Sequence, residues 1–342
     1  MKWAAVALLF VLAACTGETP PPSIVHSPPI EPTMTGQAFV AEDGAILPYR
    51  SWLPEGKPRA IVLALHGFND YSKAFKEPGE RWARSGIATY AYDQRGFGAA
   101  PRRGFWAGTK RLDADLALVA RLLRERYPGT ALYLLGESMG GAVVATAVTG
   151  AAGASRPDSD GIILSAPAVW GRATMNVFER AALWSGNILF PGLTLTGRGL
   201  DITPSDNIDM LRELSRDPLV IKETRLDTIH GLVDLMDQAF ASAPRIEGPT
   251  LILYGQHDEV VPEHPTRQFI ANLPRAANVR SRIAWYEHGY HMLLRDLEAK
   301  LVLGDIESWI DDHEAALPSG ADRHASDGLL ARSGSPPPRA AQ

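Results

Sequence analysis

The sequence predicts an α/β protein with a mostly parallel central sheet, helices on both faces and an inserted helical cap. Three observations carry this reading. Short apolar runs of strand length alternate with longer segments of helical spacing. One of those runs, Ala60–Leu65, is apolar throughout, as expected of a strand buried on both faces. The alternation breaks once, over residues 168–243, where an aromatic-rich insert separates two parts of the core.

The elements follow in order. Met1-Lys2, the apolar run Trp3–Leu12 and the small residues before Cys15 form an export signal over 1–14. The run is too short to cross a bilayer, which takes ~20 residues. Its ending, Leu12-Ala13-Ala14-Cys15, resembles a bacterial lipobox and places the chain's single cysteine at the lipidation position. That pattern implies cleavage before Cys15 and a lipid anchor in the cell envelope. Thr16, in the place where a retention signal usually has Asp, favours the outer membrane in a host that has one. Residues 15–35 are rich in Pro, Ser and Thr and read as an extended tether.

The core is predicted over 36–167 and 244–313. Glu42-Asp43-Gly44 joins Gln37–Ala41 and Ile46–Leu53 as a hairpin. Ala60–Leu65, Ile87–Tyr92, Ala131–Leu135, Gly161–Ser165, Thr250–Tyr254 and Arg282–Tyr286 are the strands that follow. Lys110–Tyr127 has helical spacing at Leu112, Leu116, Val119, Leu122 and Leu123, with Asp113, Asp115, Arg121 and Arg124 expected outside. Pro128-Gly129 stops it. Met139–Thr149 and roughly Asp296–Asp311 are further helices. In the insert, Ile229, Leu232, Val233, Met236 and Phe240 mark a helix assigned to the cap. Residues 314–342 are rich in Pro, Ser, Gly and Ala and read as a disordered tail.

Composition narrows the function. The net charge of −5 comes without a basic run that could track a phosphate backbone, which argues against nucleic acid as a partner. There is no Walker-type loop and no H-E-x-x-H, so neither cofactor nor metal is expected.

The strongest local signal is Gly136-Glu137-Ser138-Met139-Gly140-Gly141, a G-x-S-x-G between a predicted strand and a predicted helix. It makes Ser138 the candidate nucleophile. A serine hydroxyl needs a base, and the base needs an orienting acid. Asp258, just past the strand Thr250–Tyr254, is the candidate acid, with Glu259 its rival. Beyond the last strand, Glu287-His288-Gly289-Tyr290-His291 offers two bases, of which His291 is preferred and His288 is the alternative. His66 is expected to brace its loop. The backbone N–H groups of Met139 and of Phe68, in His66-Gly67-Phe68, are candidate oxyanion donors.

These segments, with Asp93-Gln94-Arg95-Gly96-Phe97-Gly98, resemble the monoacylglycerol lipase and lysophospholipase branch of the α/β-hydrolases across most of 38–312. In that branch the base follows a Tyr-x-x-x-Tyr pattern, matched here by Tyr286, Tyr290 and His291. The resemblance implies a monomeric or loosely associated, cofactor-free hydrolase cleaving carboxylic esters of single-chain lipids. A small-ester esterase, a peptidase or a non-catalytic binding protein of the same fold are the alternatives. Phe178 and Trp184 are expected to line an acyl tunnel under the cap.

Overall fold

The computed structural model describes residues 30–172, 175, 177–197, 199, 201–274 and 281–323. The side chains of residues 178, 179, 182 and 183 are outside that description, so the tunnel role of the Phe178 side chain lies beyond it. Cys15, with the signal segment and residues 324–342, also lies outside the described residues.

Among the described residues nine strands form the main sheet. Strands β1 (Thr33–Met34), β2 (Ala38–Val40) and β3 (Ile46–Trp52) are antiparallel neighbours, and β3 pairs antiparallel with β5 (Ile87–Tyr92). From there the pairing is parallel. It runs from β5 through β4 (Ala60–Leu65), β6 (Ala131–Glu137), β7 (Gly161–Ser165) and β10 (Thr250–Gly255) to β11 (Ser281–Tyr286). A separate pair, β8 (Thr194–Thr196) with β9 (Glu223–Arg225), lies within the insert.

Strand β4 shows why the apolar runs are continuous. All six residues are buried. Ile61, Leu63 and Leu65 enter one core cluster, while Ala60, Val62 and Ala64 enter the other. Side chains alternate between faces with period two, so a sheet covered on both sides needs every position apolar. Helices α2 (Thr109–Arg126) and α3 (Met139–Thr149) supply the first cluster. Helix α1 (Lys76–Arg84) supplies Trp82 to the second, and a C-terminal helix, Ala299–Asp311, supplies Leu303, Ile306 and Trp309.

Four sequence expectations are corrected. Asp113 and Asp115 are buried, not on the outer face of α2. Asp113 accepts a 2.8 Å hydrogen bond from Thr146, and burial pushes its carboxyl up to about 7. Asp115 pairs with Arg95 at 2.6 Å. The segment 15–35 is not tether to its end, because Thr33–Met34 pairs with Phe39–Val40. The segment 314–342 is not disordered from its start. Leu317 and Ala321 are buried against the second cluster, and Asp322 pairs with Arg282 at 2.5 Å.

The fourth correction concerns the insert. It contains α4 (Val177–Leu189), α5 (Ile208–Arg216) and α6 (Leu226–Ser242). By packing, α6 belongs to the core layer. It lies along α3 and buries Val233, Leu235, Met236 and Ala239 in the first cluster. Gly231 lets Trp106 pack directly on its backbone, where a Cβ would overlap the indole. The short helix α7 (Glu263–Ala271) follows β10, and the C-terminal helix is therefore α8.

Candidate active site

Strands β4, β6, β10 and β11 end at one edge of the sheet, and their following loops carry the predicted groups. Ser138 stands between β6 and α3 with φ +54° and ψ −115°. That is a costly conformation for a residue with a Cβ, worth about 1–3 kcal/mol. The turn is possible because its flanks are small. A Cβ on Gly136 would collide with the Gly140 backbone, and one on Gly140 with the Leu65 carbonyl. The turn is held by Ser138 N–H donating to Ser165 O at 2.9 Å. Ser138 O in turn accepts from Ala168 N–H at 3.0 Å.

Asp258 and His291 meet. His291 Nδ1 lies 2.9 Å from Asp258 Oδ2, and both side chains are buried. The other Asp258 oxygen accepts the N–H groups of Val260 and Val261, at 2.8 and 2.9 Å, which fixes the carboxylate plane. Burial works against a charged His291 ring. The Asp258 carboxylate outweighs it, by charge and by hydrogen bond, and raises the histidine above its ordinary value. The rivals are placed elsewhere. His288 is exposed. Glu259 is exposed too, and its carboxylate accepts from Thr203 N–H at 2.6 Å. His257 and His264 are exposed, and the partly buried His230 lies 3.1 Å from Arg172.

His66 is buried and depressed below its ordinary value by that burial. Its Nδ1–H donates to Gly67 O at 2.8 Å, and its Nε2 accepts from Gln94 N–H at 3.0 Å. Gln94 Nε2 donates back to His66 O at 2.9 Å. This neutral ring braces the loop after β4, as the sequence suggests. The loop lies beside the serine: a Cβ built on Gly67 would sit 3.5 Å from Ser138 Cβ. Phe68 follows and packs its ring on Phe97, 5.6 Å between centroids. Met139 opens α3 directly after Ser138. Backbone N–H groups at a helix start favour negative charge.

The insert is roped to this edge. Met292 N–H donates to Pro204 O at 3.0 Å, and Ser205 Oγ donates to Asp296 at 2.6 Å. Ile221 N–H donates to Asn69 O at 2.9 Å, and Asn69 Nδ2 to Thr224 Oγ1 at 2.7 Å. The insert's helix α4 is different. Trp184 is 65% exposed and Ile188 57%, with Leu189, Phe190, Leu193 and Leu195 also exposed. Trp184 therefore lies on an open apolar surface of the insert. Among the described residues no group of three His, Cys, Asp or Glu could hold a metal ion.

A family model described as serine aminopeptidase S33 (Hydrolase_4) matches residues 56–298, well over half of the chain. The chain belongs to the Hydrolase_4 family. Among the relatives of this Hydrolase_4 chain is a monoacylglycerol lipase of Mycolicibacterium smegmatis, 26% identical over 83% of this chain and 99% of that protein. The monoglyceride lipase of Mus musculus is 26% identical over 82% of this chain and 92% of its own length. A soluble variant of the Saccharomyces cerevisiae monoglyceride lipase, solved with a substrate analogue, shares the fold. It has a TM-score of 0.68 and 21% identity over 87% of this chain and 99% of that one.

Two participants escape the sequence reading. Arg295 and Glu137 are buried and paired at 2.8 Å beside the serine. The only signal was opposite charge at two motif positions, one inside G-x-S-x-G and one four residues past His291.

Proposed function

We propose that this protein is a carboxylic-ester hydrolase of monoacylglycerol lipase type, cleaving single-chain lipid esters through an acyl-enzyme on Ser138. The buried Asp258–His291 pair at the edge that carries the strained Ser138 is the observation that carries this reading. His291 Nε2 takes the Ser138 Oγ proton as Oγ attacks the ester carbon. The carbonyl electrons move onto oxygen, where the N–H groups of Phe68 and Met139 stabilise them. The intermediate collapses, the C–O bond to the alcohol breaks, and His291 returns its proton to that alcohol. Water then repeats the sequence on the acyl-enzyme, releasing the fatty acid and free Ser138. Asp258 holds the ring with Nδ1–H toward it and favours the imidazolium.

The lipid preference is supported by the lipase relatives and by the open apolar surface of α4. Membrane attachment is part of the same proposal and rests on the sequence around Cys15. Ser138→Ala should lower kcat at least ~10³-fold. With matched glycerol esters, kcat/KM should climb with acyl length, by up to ~0.8 kcal/mol per methylene, then level off. A kcat/KM that is highest for acetyl esters and declines with every added carbon defeats the lipid reading. The serine-aminopeptidase family name gives one control, an aminoacyl amide, which should be cleaved far more slowly than the lipid ester.

A further inference from the structure

Three segments far apart in sequence must hold a fixed register for the proposed reaction. They are the loop after β4, the turn at Ser138 and the loop carrying His291. One side chain touches all three. Arg295 sits four residues after His291 in the same loop. Its Nη2 lies 2.8 Å from Glu137 Oε1, the residue before Ser138. The same nitrogen lies 2.9 Å from Asp70 Oδ2, in the loop that carries Phe68. All three side chains are buried, none more than 8% exposed. The Arg295 carbonyl also accepts from Asn207 Nδ2 at 2.9 Å, which ties the insert to the same point.

Buried charge is tolerated only where it is paired. Both carboxylates converge on the same Nη2 of the guanidinium, so a displacement of either loop would leave a buried charge unpaired. An error of 1 Å in the placement of a reacting group costs on the order of 10²-fold in rate. We infer that Arg295 is a positioning residue, a buried clamp through Glu137 and Asp70 that sets the nucleophile, oxyanion and base loops in mutual register. This inference rests on the Ser138–Asp258–His291 assignment.

The clamp also shapes the electrostatics of the base. The charged groups around His291 are Asp258 after β10, Glu137 at the end of β6, Asp70 after β4, and Arg295 and Asp296 on its own loop. Of these, Asp258 and Glu137 favour the imidazolium and Arg295 opposes it. An inert brace would leave that balance untouched when altered conservatively.

The test uses the whole chain and a lipid ester at saturating and limiting concentrations. Arg295→Met should lower kcat about 10²-fold with KM little changed, because binding is kept and alignment is lost. Arg295→Lys, which keeps the charge at a shorter reach, should recover part of that loss. Glu137→Gln should move the midpoint of the kcat/KM pH profile downward, since a carboxylate facing His291 is gone. A folded Arg295→Met with kcat within about twofold of the native chain would overturn the inference. An unmoved midpoint in Glu137→Gln would do so equally. Should Arg295→Met fail to fold, Glu137→Gln decides alone through its midpoint and kcat. Ser138→Ala keeps the two ideas apart. If it stays active, the catalytic assignment is wrong. If it is dead while Arg295→Met is fully active, the clamp alone is wrong.

Discussion

His291 is pulled in two directions: burial disfavours its positive charge and Asp258 favours it, and the carboxylate prevails. The consequence for rate has a definite sign. Only the neutral ring accepts the Ser138 proton, so activity is lost as pH falls through the raised value. The kcat/KM profile should rise with pH to a midpoint above ~6.5, the ordinary histidine value. Asp258→Asn should pull the midpoint down and lower kcat by ~10⁴-fold, as in other triads. A profile flat between pH 5 and 9 would count against a histidine base. At this scale most of the site was legible. The order Ser138, Asp258, His291 along the strand ends pointed to each candidate, and the structure brings Asp258 and His291 within 2.9 Å while His288 and Glu259 are exposed. Arg295 was not legible, because its partners at 70 and 137 are brought to it only by the folded sheet. Asp113 failed for the same reason. Its partner Thr146 lies on another helix, so helical spacing assigned a charge at that position to solvent.

At the scale of elements, the strands were the readable part. Their apolar runs end at turn residues within a residue or two of the observed limits. In the insert α4 and α5 were not read as separate helices, and in the core α1 and α7 escaped. Each of these last two has nine residues, and Pro78, Gly79 and Pro265 break the helical pattern. Gly79 has a tertiary reason, since the Trp52 ring occupies the space where its Cβ would be. The C-terminal segment was misread because composition cannot see partners. Leu317 and Ala321 pack on the second cluster, and Ser319 N–H donates to the buried Asp305 at 3.0 Å. A chain ending at Asp312 should therefore be less stable than one ending at Arg323. Loss of Leu317 burial alone costs about 1.5–3 kcal/mol. At about 2–4 °C per kcal/mol for a domain of this size, Tm should drop by roughly 3–12 °C. Equal Tm values for the two chains would show that the segment contributes nothing.

For the molecule as a whole, the proposed anchor and the proposed site have to work together. Fifteen steps of chain separate Cys15 from Ile30, where the described structure begins. Fully extended they reach roughly 50 Å, so a lipidated Cys15 would hold Ile30 within about that distance of its membrane. Two or more acyl chains are needed for stable anchoring, since one gives only reversible binding. Mass spectrometry of the mature protein should find Cys15 at the N-terminus carrying those chains. An unmodified cysteine, or cleavage elsewhere, would refute the anchor and leave the hydrolase untouched. No described helix is long and apolar enough to cross a membrane. The fold class was readable from periodicity alone, but the role of the insert was not. Its last helix packs as core, and its loops at 203–207 and 221–224 are bonded to the catalytic edge.

Among the described residues four non-glycines have positive φ, and three of them, Asn69, Ser138 and Ala166, follow β4, β6 and β7 at the catalytic edge. Ser138, with ψ −115°, lies in a region that residues with a Cβ rarely adopt. Glycine would adopt its conformation without penalty, and would leave a more stable, silent protein. Drift toward stability alone would thus tend to replace the serine. A pure binding module of this shape would have no reason to go on resisting that drift, whereas a working nucleophile would.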